Sequence, residues 1–137
     1  MIMSAVSEVL PRIIIADDDP TVRATLGMAL SQAFELVGVA VDGEQAIKLA
    51  RVSQPDAAVI DVEMPKGGGL RAVRGIRDVA PGTAIVVLSG DESDAVVREL
   101  VQAGATTYRR KGVGMAVIAQ SLTESIKAHS DARVDSL

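Results

Sequence analysis

Five short runs of aliphatic and β-branched residues alternate with longer stretches whose apolar residues recur at helical spacing. This alternation most limits the folds open to the chain. A strand that must return parallel to its neighbour needs a crossover, and the crossover is right-handed, so repeated strand–helix units imply one parallel sheet with helices on both faces. Strands are expected at 12–16, 35–41, from 57 into the stretch Ala-Ala-Val-Ile-Asp-Val-Glu-Met-Pro ending at Pro65, at 83–88 and at 105–111. Helices are expected at 20–33, 44–52, 70–79, 91–103 and 114–128. The composition agrees: 48% of residues are hydrophobic but 1% aromatic, so the core must be built from Val, Ile, Leu and Ala, as in sheets buried on both faces. At 137 residues the chain is one domain with one proper core.

Punctuation marks the joints. Asp19 is placed to cap the first helix with Pro20 in its first turn, and Val22, Leu26, Ala29, Leu30 and Ala33 share one face of it. Asp42-Gly43 turns the chain into the second helix, where Ala46, Ile47 and Ala50 point inward. Residues 66–69, Lys-Gly-Gly-Gly, read as a flexible loop. Pro81-Gly82 stops the third helix, and Gly104 stands where a helix end wants a left-handed residue. Met115, Ile118, Leu122 and Ile126 form the inner face of the last helix. Residues 1–11 read as an N-terminal extension, 12–128 as the domain and 129–137 as a polar, mobile tail.

The chemistry gathers at the carboxyl ends of the strands, where ligands bind in open α/β sheets. Asp17 and Asp18 follow the first strand, Asp61 ends the third, Ser89 follows the fourth and Lys111 ends the fifth. Crowded carboxylates drive one another toward protonation unless a cation intervenes. Lys111 offsets one charge, and the remaining oxygen-rich pocket suits Mg²⁺, which accepts a couple of carboxylates and keeps a position for a phosphoryl oxygen. An Asp can be a nucleophile toward phosphorus, and the metal, Lys111 and Ser89 would stabilise the transferring group. The constellation predicts an aspartyl phosphate. A net charge of -4 argues against direct nucleic-acid binding. The absence of cysteine removes disulfides and thiolate metal sites. No signal peptide or membrane-spanning run is legible, and a cytoplasmic location is expected.

Asp17-Asp18 after an apolar strand, Asp61-Val-Glu-Met-Pro65, Ser89-Gly90 after Ala84-Ile-Val-Val-Leu88, and Tyr108-Arg-Arg-Lys111 together resemble the receiver domain of two-component response regulators. The resemblance covers about residues 12–128. It implies a doubly wound, flavodoxin-like (βα)5 fold with strand order 2-1-3-4-5. It makes Asp61 the phosphoacceptor, with Asp18 and Asp61 binding Mg²⁺ through carboxylates, Glu63 through its backbone carbonyl and Asp17 mostly through water. Ser89 and Tyr108 would be the switch pair, and Lys111 would move to the phosphoryl oxygens. The phosphoryl group would come from a sensor histidine kinase, a phosphotransfer protein or a small phosphodonor. The downstream protein would dock on the face of the fourth helix, fifth strand and fifth helix. With no output domain following, the chain reads as a stand-alone receiver, a regulatory domain and not a turnover enzyme.

Some residues depart from that pattern. Gly112 stands where the family usually has proline, so a trans bond and a looser loop are expected. Arg109 and Arg110 occupy strand positions that are usually apolar, and one of them should lie at the sheet edge or along the last helix. Ser89 could also cap the following helix in part. Arg71, Arg74 and Arg77 recur on the third helix as a solvated face, and His129 lies near a helix end. Glu63 and Asp91, two residues after the acceptor and the hydroxyl, are expected to border the phosphoryl pocket and set the lifetime of the phosphoryl group by obstructing or orienting water. Two other functions compete. Asp17-Asp-Asp19-Pro-Thr21 also fits the motif of haloacid-dehalogenase-like phosphatases, with Asp17 as nucleophile and Asp19 as general acid. The third reading is a receiver fold that acts as an interaction module without phosphorylation.

Overall fold

The computed structural model describes residues 9–90 and 93–135. The elements alternate without exception: β1 (Arg12–Ala16), α1 (Pro20–Leu30), β2 (Glu35–Ala40), α2 (Gly43–Ser53), β3 (Ala57–Asp61), α3 (Gly68–Val79), β4 (Ala84–Ser89), α4 (Asp94–Ala103), β5 (Thr107–Arg110) and α5 (Met115–Asp135). All strand pairs are parallel and the order is β2-β1-β3-β4-β5. From β1 the chain winds first to β2 on one side and then to β3 on the other. The two crossovers diverge there, which opens a crevice above the carboxyl ends of β1 and β3.

Side chains alternate across the sheet with period two, so each strand feeds two cores. Ile14, Ala16, Ala58, Ile60, Ile85 and Val87 face the layer of α2, α3 and α4, where they meet Ala46, Ala50, Val73, Ile76 and Leu100. Ile13, Ile15, Ala57, Val59, Val86 and Leu88 face α1 and α5, where they meet Leu26, Leu30, Ile118 and Leu122. Asp61 continues the alternation of Ala57 and Val59, and is therefore delivered toward the α1–α5 side.

The caps form as their residue types dictate. Asp19 accepts the amides of Thr21 (2.8 Å) and Val22 (3.4 Å), with Pro20 opening α1. Asp42 accepts the amide of Gln45 while Gln45 returns its side-chain oxygen to the amide of Val41, a reciprocal cap on α2. Gly104 closes α4 at φ 118°.

Several expectations change. The first helix ends at Leu30, three residues before Ala33, and both Val22 and Ala33 are exposed; Phe34 turns inward and closes that end of the core. Ser93, not Ser89, caps α4, by accepting the amide of Val96. The last helix does not stop near Ala128 to leave a polar tail at 129–137: it runs to Asp135. No glycine or proline interrupts residues 115–135, and His129 gains a tertiary contact, its Nε2 lying 2.7 Å from the Pro81 carbonyl oxygen. His129 is thus inside the helix rather than at its end.

Nor is the third helix simply solvated along its arginines. Arg71 pairs with Glu44 and Arg74 is exposed, but Arg77 is half-buried and ties three backbone carbonyls together. Its Nη1 donates to Pro81 O (3.0 Å) and Thr83 O (2.9 Å), and its Nη2 to Gly104 O (2.8 Å). Arg109 behaves as expected for a long cation on an edge strand, reaching along the last helix so that its Nε donates to Ser121 Oγ at 2.8 Å.

The glycine-rich segment also proves more constrained than a flexible loop. Gly68 and Gly69 form the first turn of α3, and a Cβ on Gly69 would stand 2.5 Å from the Cα of Val62 and 3.1 Å from the carbonyl oxygen of Asp61. Only glycine lets α3 come this close to the end of β3. Gly69→Ala is expected to cost about 1–3 kcal/mol through forced displacement of that backbone, read as a lower urea midpoint; an unchanged midpoint would refute the contact.

Candidate functional site

Four of the five strands and the turns after them build one pocket at the crevice. Asp17, Asp18, Asp19, Asp61, Lys111 and Gly112 line its polar side, and Val22, Leu26, Leu88, Val113, Met115 and Ile118 its apolar side, around a cavity of about 330 Å³. Asp61 is 2% exposed at the end of a fully buried strand. Asp17 is buried beside it, while Asp18 reaches solvent, and one carboxylate oxygen from each of Asp17, Asp18 and Asp61 lies within 4.8 Å of the others.

The surrounding hydrogen bonds hold each carboxylate in place. Asp17 Oδ1 accepts the amide of Asp19 (2.9 Å), and the Asp17 carbonyl accepts Arg23 Nη1 (2.8 Å). Asp61 Oδ1 accepts the amide of Glu63 (3.1 Å) and pairs with Lys111 Nζ at 2.8 Å. The same ammonium pairs with Glu63 Oε2 at 2.6 Å, and Glu63 Oε1 accepts the amide of Gly90 at 3.1 Å. Lys111 is positioned by its own backbone, which donates to Ser89 O at 2.9 Å. The bond after it is trans, no cis peptide occurring among the described residues, and Gly112 takes φ 96°, a left-handed conformation suited to glycine.

Electrostatics separates the acids. Burial pushes the Asp61 carboxyl above its ordinary value, the hydrogen bonds from Lys111 and Glu63 offset part of this, and the charge of Asp17 adds to the rise. Glu63 is held below the ordinary carboxylate range chiefly by its hydrogen bond with Lys111. Burial works against the Lys111 ammonium, but its bonds to Asp61 and Glu63 outweigh that and raise its value. One ammonium is thus set against the clustered carboxylates of Asp17, Asp18, Asp61 and Glu63. A hard divalent cation fits such a donor set.

Of the residues expected at the site, Asp17, Asp18, Asp61, Glu63 and Lys111 come together. Ser89 is fully buried at the end of β4, on the strand next to Asp61. Tyr108 is half-buried against the core of the α2–α4 layer. Asp91 lies outside the described residues. Asp19, the general acid of the phosphatase reading, is committed to capping α1. The bridge from Glu63 to Gly90, 27 residues away, was not legible in the sequence. Neither was the bracing of Asp17 by Arg23, because no spacing rule predicts a contact between an arginine head and a carbonyl across a turn.

A family model for the response regulator receiver domain matches residues 13–123. The chain belongs to this family. Among curated proteins, the response regulator GacA of Pseudomonas viridiflava is 35% identical over 113 residues, covering 81% of this chain and 53% of GacA. The transcriptional regulatory protein PdtaR of Mycobacterium tuberculosis is 36% identical over 100 residues, 71% of this chain and 47% of PdtaR. The receiver therefore spans about half the length of the curated relatives it matches. The receiver domain of the response regulator NarL from Mycobacterium tuberculosis superposes with a TM-score of 0.83 at 27% identity, over 88% of this chain and 98% of that one. A CheY-like receiver from Methanospirillum hungatei gives the same TM-score at 20% identity, which speaks to the fold alone. The receiver is a regulatory domain of two-component signalling, a family whose members pair with histidine kinases and bind Mg²⁺ at an acidic pocket; neither the phosphatase nor the phosphorylation-independent reading is favoured. Among the described residues no helix is long and apolar enough to cross a membrane.

Proposed function

We propose that this receiver is switched by a phosphoryl group carried on Asp61. The observation that carries the reading is the placement of one buried carboxylate, 2.8 Å from Lys111, inside the cluster it forms with Asp17 and Asp18. An Asp61 oxygen attacks the phosphorus of a phosphohistidine on the partner kinase. The new O–P bond forms as the P–N bond breaks, and the electron pair returns to the imidazole nitrogen, which takes a proton from water. Lys111 holds a phosphoryl oxygen, and the Ser89 hydroxyl offers it a hydrogen bond, drawing the end of β4 inward, with Tyr108 following as the second member of the switch. Asp18, Asp61 and the Glu63 carbonyl would hold Mg²⁺ directly and Asp17 mostly through water. Once bound, the ion neutralises charge on the transferring group.

The donor is a sensor histidine kinase or a phosphotransfer protein, in the cytoplasm, and the α4–β5–α5 face carries the signal to a protein partner. Self-directed phosphotransfer and hydrolysis are the only chemistry assigned to the domain. Incubation with acetyl phosphate and Mg²⁺ is expected to yield one hydroxylamine-labile acyl phosphate, mapped by mass spectrometry to Asp61 and absent when EDTA replaces the metal. Modification at another residue, or none, would overturn the reading.

A further inference from the structure

We infer that in the unphosphorylated receiver the Glu63 carboxylate occupies the seat of the phosphoryl group and must leave it before Asp61 can be modified. The inference rests on Asp61 being the phosphoacceptor, and goes beyond it by assigning an internal competitor for the site.

Glu63 does more than border the pocket. Its two carboxylate oxygens span two donors from different strand ends: Oε2 takes Lys111 Nζ at 2.6 Å, and Oε1 takes the backbone amide of Gly90 at 3.1 Å. An ammonium and an N–H at a strand end are the donor types that hold a phosphate, and here a carboxylate already bridges them. Lys111 Nζ also touches Asp61 Oδ1 at 2.8 Å, so any group added to that carboxylate must share the ammonium with Glu63 or displace it. Sharing would bring a second anion against Glu63 at the single ammonium both would use. Displacement is open, because the Glu63 side chain is 49% exposed and can swing into water, whereas Asp61, 2% exposed, has no such freedom.

The Gly90 amide adds a consequence for signalling. It belongs to the residue after Ser89, where β4 gives way to the segment leading to α4. When Glu63 leaves, this amide loses its acceptor and becomes available to a phosphoryl oxygen. Glu63 therefore holds the end of β4 in its unphosphorylated register until the incoming group takes over the bond.

The test uses beryllofluoride with Mg²⁺ as a non-covalent phosphoryl probe, and acetyl phosphate as donor; with the latter the P–O bond to the acetyl group breaks and acetate leaves with the electron pair. Glu63→Ala is expected to bind the probe at least tenfold more tightly than the wild type and to acquire its acyl phosphate correspondingly faster. Glu63→Gln, which keeps the shape but not the charge, is expected to fall between them. In the absence of any phosphodonor, Glu63→Ala should also lose hydrogen-exchange protection at the Gly90 amide. Equal or weaker probe binding by Glu63→Ala, with Asp61 still modified, would overturn the inference and leave the Asp61 reading intact. A wild-type chain that neither binds the probe nor becomes modified would instead overturn the Asp61 reading. If Glu63 only oriented an attacking water, Glu63→Ala would alter dephosphorylation while leaving probe affinity unchanged, which also overturns the inference.

Discussion

Asp61→Asn is expected to abolish acyl phosphate formation entirely while making the metal-free protein more stable at neutral pH. The first effect follows from the nucleophile: an amide oxygen carries no formal charge, and the variant keeps the shape of the pocket while losing its reaction with phosphorus. The second follows from linkage. Burial raises the Asp61 carboxyl above 3.8, its ordinary value, so between that value and the raised one the folded state binds more protons than the unfolded state. Stability of the metal-free protein therefore falls as pH rises through this window, and the cost is fully present above it. Asparagine removes that cost, Glu63 remains as a partner for Lys111, and the neighbouring Asp17 and Asp18 can accept from the new amide. In EDTA at pH 7 the variant should show the higher urea midpoint, and the difference should vanish below about pH 3.8, where the wild-type carboxyl is protonated in both states. Saturating Mg²⁺ should reverse the order, since the ion stabilises whichever protein binds it better. A lower midpoint for the variant in EDTA would mean that the Asp61–Lys111 pair outweighs the desolvation of the acid.

Arg77→Ala, a single substitution at a half-buried position, is expected to cost about 2–4 kcal/mol of stability. The guanidinium joins the end of α3, the turn into β4 and the end of α4 through Pro81 O, Thr83 O and Gly104 O. Burial and the nearby charge of Arg133 both work against its charged form, which is compensated by these carbonyls. Removing it takes the guanidinium from Thr83 O and Gly104 O, while Pro81 O keeps its contact with His129 Nε2, at the end of the sheet opposite to Asp61. Arg77→Lys should recover little, because one ammonium cannot span the three acceptors that the planar fork reaches. Urea unfolding gives the loss, and Mg²⁺ titration of the folded variant should give wild-type affinity. A loss below about 1 kcal/mol would place Arg77 among ordinary surface arginines.

The difference between Arg77 and its neighbours Arg71 and Arg74 shows where reading a sequence stops. All three recur at one spacing on one helix, and spacing places them on related faces without saying what arrives opposite. Arg77 is buried because the turn at Pro81 and the end of α4 converge on it, a relation between segments 27 residues apart. The length of α5 is a similar case. Its last turns are polar, and a local reading lets them fray, whereas the contact of His129 with Pro81 extends the packed part of the helix. Val22 and Ala33 failed the other way, since a helical stripe fixes a face but not how far along the helix the core reaches.

The parallel sheet covered by helices and the convergence of Asp17, Asp18, Asp61 and Lys111 were legible in the residues themselves, whereas the strand order followed from the family resemblance. Alternating buried strands and amphipathic helices admit few topologies, and a parallel sheet puts every strand's carboxyl end on one edge. Residues that follow each strand must then meet, whatever the details of packing. What only the tertiary structure decided is how the meeting groups pair: one ammonium shared by Asp61 and Glu63, Glu63 carried across to the Gly90 amide, and an arginine closing the far end of the sheet. Chain direction determines which residues reach an edge. Side-chain length, rotamer and the competition among nearby donors determine which of them touch, and those depend on distances that exist only once the sheet has formed.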